Sequence, residues 1–462
     1  MPATAVVDMG KTHTRLHLFE DAAAAGHIVD RCVTPYIEGE DYPCLDEEAV
    51  WAWMRNAFAD ASAHTAIARV IVTTHGAAAA CVAADGSLSA PIMDYEAEIP
   101  GPVSTAYEAE RPTFAETGSP SLPAGLNLGR QLAWQAALGQ LDRARHILTL
   151  PQYWAWKLCG VAAGELSALG CHTDLWRQDG EGPSSLAQDR GWARLLPPLA
   201  GAGDVLGTVS AEVQASTGLT ADCQVHCGVH DSNAALYAMA RATQRLRLAD
   251  PLFISTGTWS IVMAPGRPAT ALDQTKDTLT NIAVDGRTVP TARFMSGPEY
   301  AVLAGTEKGS PPEIDGIQQA IDRRALVTPN LTGDIAGGPF AGRIGRIEPA
   351  SADDRLRRAL AALYIPLMWD KMLTLVAPGE RRAPIVVEGP AATPEMTGVL
   401  AALRPDAAVY RSEDEISPAL GAAFLADATS ASRMPALSAI AAIRLDGLDA
   451  YKAAWRKAVS LP

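Results

Sequence analysis

The chain opens with an alternation of apolar and polar positions that predicts a strand, a tight turn and returning strands. An apolar run, Ala3–Val7, ends in Asp8 and leads into a polar turn, after which apolar residues alternate again. Further along, the apolar spacing predicts an amphipathic helix over Trp51–Ala68, and the β-branched run Arg69–Thr74 predicts a buried strand. Helical patterns dominate from Leu126 to Leu158.

A second set of elements repeats the opening order near the middle of the chain. Gln224–Val229 is predicted as a strand, and the Ala-rich segment Ser232–Arg241 is predicted as a helix. Leu252–Ser255 and Trp259–Ala264 are then predicted as strands on either side of a Gly/Thr turn, and Pro384–Val387 as a later strand. We therefore place a domain boundary near residue 242.

Length and composition agree with a folded protein of two domains. A chain of 462 residues is too long for one ordinary hydrophobic core, so we expect domains at residues 1–242 and 243–462. Hydrophobic residues make up 48% of the chain and charged residues 19%, as in globular proteins. The net charge of -14 argues against nucleic acid or an anionic membrane as a partner. An anionic ligand would have to be bound locally, through backbone N–H groups and a metal ion.

The cysteines and the hydropathy pattern predict a soluble, cytoplasmic protein. Seven cysteines, an odd number without a paired framework, are typical of reduced thiols. Charged residues interrupt the N-terminal apolar run at once, so it does not match a signal peptide. The most apolar later segment, Leu356–Met372, contains charged residues and Pro366, which argues against a membrane span.

The first polar turn carries residue types that suit a phosphate group. Such a group needs a glycine, hydroxyl donors and exposed N–H groups, and a nearby carboxylate can hold Mg²⁺ through water. The turn supplies these groups at five positions: Asp8, Gly10, Thr12, Thr14 and Arg15. A plain hairpin turn uses the same residue types, so this alternative stays open.

A second turn, Ser255–Thr258, repeats that chemistry about halfway along the chain. Two such turns, each between predicted strands, could hold a polyphosphate from both sides of a cleft. A coincidental pair of hairpins is the alternative.

Asp231 follows a predicted strand and begins a predicted helix, which allows two interpretations. It could accept a hydroxyl proton during phosphoryl transfer, or it could be an ordinary helix N-cap. The nearby Cys and His residues also suggest zinc, but alternation along a strand separates Cys223 and Cys227 from His226. We therefore do not expect a metal site there.

These motifs, in this order, resemble those of the FGGY carbohydrate kinases over nearly the whole chain. The motifs are Asp8-x-Gly10-x-Thr12 with Arg15, Thr74-His75-Gly76 with Asp85-Gly86, Gly228–Asp231, Ser255–Trp259 and Ala419–Ala423. The resemblance implies an α/β protein with the two-domain actin-like, ribonuclease-H-like ATPase fold and an interdomain cleft. It implies ATP and Mg²⁺ as cofactors, a small-molecule sugar as substrate, and a homodimer.

The resemblance also assigns site residues. Asp231 corresponds to the catalytic aspartate, and it also contacts the sugar, together with His75, Gly76 and Asp94. Asp8 would lie near Mg²⁺. The implied nucleotide-binding residues are Asp8, Gly10, Lys11, Thr12, Thr14, Arg15, Thr256, Gly257, Thr258, Gly389, Pro390 and Ala391. The sugar and the catalytic aspartate would belong to residues 1–242, and ATP to residues 243–462.

Two stretches depart from the family pattern. The segment around Asp94 lacks the arginine of the usual Trp/Tyr-x-Asp-x-Arg motif, which predicts rearranged sugar contacts. Gly389-Pro390-Ala391 stands where the family has consecutive glycines, and proline removes an N–H donor, which predicts a different approach of this loop to adenine.

The stretches Leu126–Gly129 and Cys171–Trp176 are similar to kinases of deoxyketoses such as L-rhamnulose or L-fuculose. Kinases of xylulose, other pentuloses or polyols are an alternative. Rivals from other classes are an actin-like ATPase that drives conformational change and a sugar-sensing or transport-regulating homologue with little turnover. Sugar-dependent ADP release would separate all three.

Overall fold

A computed structural model of the chain describes residues 2–20, 26–305, 312–333, 338–427 and 434–460. It groups into two compact units. The first comprises Met1–Arg241, Thr280–Thr288 and Ser417–Met434, and the second comprises Ala242–Leu279, Val289–Ile416 and Pro435–Pro462. The sequence predicted a single change of domain near residue 242, whereas two later segments rejoin the first unit.

The strands are β1 Ala3–Met9, β2 His13–Phe19, β3 His27–Val33, β4 Tyr36–Glu38, β5 Pro43–Leu45, β6 Ile67–Thr74, β7 Ala79–Ala83, β8 Leu88–Ala90, β9 Ala144–Thr149, β10 Val205–Thr208, β11 Gln224–His226, β12 Val229–His230, β13 Leu252–Thr256, β14 Ser260–Met263, β15 Thr278–Ile282, β16 Thr288–Phe294, β17 Leu326–Val327, β18 Ile347–Glu348, β19 Ile385–Glu388, β20 Val409–Ser412 and β21 Leu437–Ile440.

The α-helices are α1 Glu47–His64, α2 Gly101–Glu110, α3 Phe114–Thr117, α4 Leu128–Ala137, α5 Leu150–Cys159, α6 Leu166–Leu169, α7 Ser185–Asp189, α8 Ala211–Thr217, α9 Asp231–Gln244, α10 Ser296–Ala304, α11 Ile314–Asp322, α12 Asp354–Val376, α13 Pro394–Leu403, α14 Pro418–Ala426 and α15 Leu448–Ser460. Short 3₁₀ turns occur at Trp192–Leu195, Ala269–Ala271 and Gln274–Lys276.

Each of the two large sheets has a hairpin beside a parallel strand. In the first, the order is β10-β11-β6-β1-β2-β3, with β12 also paired to β6; β1 is antiparallel to β2 and parallel to β6. In the second, the order is β15-β16-β14-β13-β19-β20-β21; β13 is antiparallel to β14 and parallel to β19. Both predicted Gly/Thr turns therefore connect the two strands of a hairpin.

The longest helix, α12, passes through the core of the second unit. Its length and composition would suffice to cross a membrane, but most of its side chains are buried against the surrounding sheet and helices. Its apolar character therefore has an explanation in core packing.

Long-range pairing explains two differences from the predicted elements. The stretch predicted as helical contains the strand β9, which pairs with β7. The strand predicted over Gln224–Val229 is interrupted at Gly228, whose φ is +90°. A side chain at Gly228 would lie 2.8 Å from the carbonyl oxygen of Val72, so the sharp turn and the close approach both require glycine.

The Ala419–Ala423 motif brings α14 into close contact with α9. A Cβ atom on Gly421 would lie 1.8 Å from the carbonyl oxygen of Ala234. Because Ala234 belongs to the first turn of α9, this contact supports the helix that begins at Asp231.

Candidate active site

Asp8 lies near the end of β1, between Arg15 on β2 and Thr73 on β6. Its side chain is mostly buried, with the nearest cation, Arg15, at 3.9 Å. Burial, with Asp231 as a second negative charge nearby, raises the pKa of Asp8 to about 7, and Arg15 lowers it only in part. His17 Nε2 lies 3.8 Å away, but burial lowers the pKa of His17 to about 4, so this histidine is neutral.

The turn after Asp8 is held together by backbone and threonine contacts. The N–H of Gly10 donates to the carbonyl of His13 (3.0 Å), which closes the hairpin. Thr14 is fully buried and its hydroxyl bonds to that of Thr34 (3.0 Å), so Thr14 supports the turn from beneath. Thr12, by contrast, is exposed.

Asp231 is the first residue of α9, but its hydrogen bonds differ from those of a helix N-cap. A capping carboxylate accepts from the N–H two or three residues further on. Oδ1 of Asp231 instead accepts from the N–H (2.5 Å) and the hydroxyl (3.2 Å) of the next residue, Ser232. Burial raises the pKa of Asp231, while His75 and the Ser232 donors lower it. Within the described residues no donor is paired with Oδ2, which is thus available to a ligand.

His230 is a neutral neighbour of this carboxylate. Its Nδ1 faces the side-chain amide nitrogen of Asn233 (3.1 Å), which is a donor, so the ring proton is on Nε2. Nε2 lies 3.2 Å from Oδ1 of Asp231 and 3.4 Å from Sγ of Cys171. Burial lowers the pKa of His230 to about 4, which agrees with a neutral ring.

His75 directly follows β6 and is held in the opposite tautomer. Its Nδ1 donates to the carbonyl of Gly76 (2.8 Å), so Nε2 is an acceptor that faces the hydroxyl of Tyr36 (3.4 Å). The ring packs edge-on against Tyr95, with centroids 5.3 Å apart. Desolvation lowers the pKa of His75, and Asp231 opposes that shift.

Gly76 leaves room for the His230 ring. A Cβ atom at this position would lie 3.1 Å from His230 Nε2 and 3.3 Å from Cys171 Sγ. The glycine of the Thr-His-Gly motif thus has a packing role beside Asp231.

Lys11, which the resemblance assigns to the nucleotide, is paired with Asp94, which it assigns to the sugar. The ammonium group is also 3.5 Å from Glu96 and lies over the rings of Tyr36 (3.6 Å) and Tyr95 (5.2 Å). Sequence reasoning did not single out either tyrosine. Tyr95 follows Asp94 directly and could have been noticed; Tyr36 has no motif around it.

The second turn is locked to the segment Gly389-Pro390-Ala391 by close contacts. The hydroxyl of Thr256 donates to the carbonyl of Glu388 (2.8 Å) and accepts from the N–H of Ala391 (3.0 Å). A Cβ atom on Gly389 would lie 2.1 Å from the carbonyl oxygen of Thr256, so only glycine fits. Pro390 and Thr258 are both exposed.

Glu388, which no motif indicated, places a second buried carboxylate beside a Gly/Thr turn. It pairs in register with Ser255, whose hydroxyl donates to it. Burial raises the pKa of Glu388 to about 7; Ser255 lowers it and Glu415 raises it further.

The surroundings of Asp8 suit a divalent cation held by one carboxylate, water and phosphate better than a metal ion held by protein side chains alone. The described residues contain no cluster of three or more His, Cys, Asp or Glu side chains that could hold a metal ion. Mg²⁺, however, is commonly bound by one or two carboxylates together with water and substrate phosphates. Burial and the charge of Asp231 raise the pKa of Asp8, and the distant Arg15 offsets this only in part, so a cation bound here would stabilise the ionised carboxylate.

A family model and a similar solved structure identify the kind of protein. The description "Carbohydrate kinase FGGY, C-terminal domain" matches residues 250–434. A carbohydrate kinase from Novosphingobium aromaticivorans is 34% identical, with a TM-score of 0.88 over 98% of this chain and 100% of that chain. The chain belongs to the FGGY family of carbohydrate kinases. The kinase is thus a phosphotransferase, of a family that uses ATP to phosphorylate small-molecule sugars.

More distant structures share the fold of the kinase. A xylulose kinase from Lactobacillus acidophilus is 14% identical, with a TM-score of 0.78 over 100% of this chain and 96% of that chain. The glycerol kinase of Plasmodium falciparum, solved with ADP, is 12% identical, with a TM-score of 0.76 over 100% of this chain and 98% of that chain. No curated protein matches the chain. The predicted actin-like ATPase fold, with two sheet-rich parts, is confirmed.

Proposed function

We propose that the kinase transfers the γ-phosphoryl group of ATP to a hydroxyl of a ketose, with Asp231 as the catalytic base. The observation that carries this proposal is the hydrogen bonding of Asp231. Because Ser232 occupies Oδ1, the carboxylate is held in place while Oδ2 is available for a sugar hydroxyl.

In the proposed step, Oδ2 takes the proton of the sugar hydroxyl as its oxygen forms a bond to the γ-phosphorus. The bond from that phosphorus to the β,γ-bridging oxygen breaks, and ADP leaves with the electron pair. Desolvation raises the pKa of Asp231, which strengthens it as a base, while the Ser232 donors favour its ionised form.

The two Gly/Thr turns are proposed as phosphate-binding turns. Thr12 and Thr258 are exposed hydroxyl residues at a turn, and Gly10 and Gly257 provide small backbone surfaces. Thr14 and Thr256, whose hydroxyls are already bonded within the protein, would support these turns. Asp8, with Arg15 beside it, would hold Mg²⁺ through water, and the ion would neutralise phosphate charge.

The acceptor is proposed to be a deoxyketose such as L-rhamnulose or L-fuculose, bound by the first unit. His75, which packs edge-on against Tyr95, and Asp94 offer polar contacts to sugar hydroxyls. ATP would bind to the second unit, where Gly389, Pro390 and Ala391 border the second turn. The proposed setting is the cytoplasm, where cysteine thiols stay reduced.

Sugar-dependent ADP release, measured across a panel of ketoses and polyols with Mg²⁺·ATP, tests this proposal. We expect the highest kcat/KM with a 6-deoxyketose. A clear preference for xylulose or a polyol would contradict the proposed acceptor. ATP hydrolysis without any sugar requirement, or sugar binding without turnover, would contradict the proposed reaction.

A further inference from the structure

In the part of the chain that the structure describes, Lys11 contacts residues around His75 and Asp94. It forms an ion pair with Asp94 and approaches Glu96, and its ammonium group lies over the rings of Tyr36 and Tyr95. Its side chain is 21% exposed, so the ammonium group is held within this cluster. A lysine at the tip of a phosphate turn would otherwise be expected to extend towards solvent.

Lys11 is the cationic partner of Asp94. Asp94 is mostly buried, and a buried carboxylate is costly without a paired charge and hydrogen bonds. The first turn supplies that partner from a distant point in the sequence. The ion pair also fixes the orientation of Asp94, whose Oδ1 accepts from the N–H of Glu96 (2.9 Å).

We propose that Lys11 is a positioning residue of the sugar subsite, where it orients Asp94, and that the acidic side chains of this subsite accept uncharged sugars and reject sugar acids. This inference rests on the proposed function, because it places the sugar beside Asp231 and Asp94. It departs from the family resemblance, which assigns Lys11 to the nucleotide.

The balance of charge in the cluster supports the exclusion of sugar acids. Lys11 provides one positive charge, whereas Asp94, Glu96 and Asp231 are acidic, and the two histidines beside Asp231 are neutral. A carboxylate on the substrate would find the ammonium group of Lys11 already paired with Asp94. Poorly solvated like charges repel strongly, so a sugar acid should bind at least about 100-fold more weakly than an uncharged sugar.

The main test compares Lys11→Met with Lys157→Met. Lys157 is a matched control in the same unit, because it also pairs with a carboxylate (Glu47) and lies over two aromatic rings, yet it contacts none of the proposed site residues. We expect Lys11→Met to raise the KM for the best sugar about 10- to 100-fold, with less than about a 3-fold change in the KM for ATP. Lys157→Met should change neither KM.

A conservative variant and a double variant separate a role in sugar binding from a role in folding. Lys11→Arg keeps the charge and should restore most of the sugar affinity. In the double variant Lys11→Met/Asp94→Asn, the loss of affinity should be smaller than the product of the single losses, because both residues act through one pair. Calorimetric titration with the sugar, without ATP, should show the same order of affinities.

Two results would overturn the inference while leaving the proposed phosphoryl transfer, with Asp231 as the base, intact. One is a Lys11→Met variant whose KM rises for ATP and not for the sugar, which would return Lys11 to the nucleotide. The other is a kcat/KM for D-gluconate that equals or exceeds that for the best uncharged sugar. Failure of the proposed function itself would be recognised separately, as full kinase activity in Asp231→Asn.

Discussion

The two large sheets share one strand layout, but the acid and the hydroxyl residue beside it lie on opposite strands of the pair. In the first, the acid is Asp8 on the hairpin strand, and the hydroxyl residue beside it on the parallel strand is Thr73. In the second, the hydroxyl residue is Ser255 on the hairpin strand, and the acid is Glu388 on the parallel strand. Burial raises the pKa of both acids to about 7. Shared topology therefore does not determine which strand carries the charge.

The surroundings of the two acids suggest different roles. Glu388 receives a hydrogen bond from Ser255, so its charge is partly satisfied within the protein. Asp8 has Asp231 as a nearby negative charge and only a distant contact with Arg15. We infer that Asp8 is suited to an external cation and Glu388 to holding the second turn in shape.

The glycines within the two turns are both open. A Cβ atom on Gly10 would be 3.4 Å from the nearest atom, and one on Gly257 would be 4.0 Å away. The close approach in the second unit lies in the adjoining segment, where a Cβ atom on Gly389 would be 2.1 Å from the carbonyl oxygen of Thr256.

The largest expected effect is on stability, from Gly389→Ala. The clash with Thr256 and the positive φ should lower the free energy of unfolding by about 3 kcal/mol or more. Gly379→Ala is the matched control, because Gly379 has a similar φ but no atom within 4 Å of a built Cβ. It should cost only about 1–2 kcal/mol. Chemical denaturation measures the free energy of unfolding of both variants. Equal losses of stability would show that backbone strain, and not the clash with Thr256, is responsible.

The next largest effect separates the two acids by activity. Asp8→Asn should lower kcat/KM about 100-fold or more, because Mg²⁺ would lose its carboxylate. Glu388→Gln should lower it less than about 10-fold, because the side chain acts through the shape of the turn. Steady-state kinetics at saturating Mg²⁺ measures kcat/KM for both variants. A larger loss of kcat/KM in Glu388→Gln would reverse the roles inferred for the two acids.

A smaller effect concerns the pH dependence of stability. The folded protein holds the proton of Glu388 up to about pH 7, whereas the unfolded chain releases it near the ordinary value of 4.5. Wild-type stability should therefore fall as pH rises between these values, by up to about 3 kcal/mol from this residue. Glu388→Gln should lack that contribution, so its stability relative to wild type should improve with pH. A difference that is constant with pH would contradict the raised pKa.

Local sequence patterns predicted the parts of the fold that local residues determine. The two strand–turn–strand units, the buried strand β6 and the helix after Asp231 all have short-range signals in composition and periodicity. The strand β9 was missed because its pairing with β7 comes from residues more than sixty positions away. The break at Gly228 likewise depends on its approach to Val72, a contact that no local pattern records.

Site residues could be predicted as motifs but not as contacts. The motifs indicated Asp8, His75 and Asp231, which the structure brings together as electrostatic neighbours. They did not indicate Glu388, whose place beside the second turn follows from strand register, or the pairing of Lys11 with Asp94. Both depend on which distant segments meet in the folded chain.

The most direct test of the central claim is the activity of Asp231→Asn beside that of Asp46→Asn. Asp46 begins α1 as a true N-cap, accepting from the N–H of Ala49 (3.0 Å). Loss of this cap should cost about 1 kcal/mol of stability and leave kcat unchanged. Asp231→Asn should instead keep its fold and its sugar binding but lose about 1,000-fold or more in kcat. If Asp231→Asn keeps more than a few per cent of wild-type kcat and loses only stability, Asp231 is a helix cap and not the catalytic base.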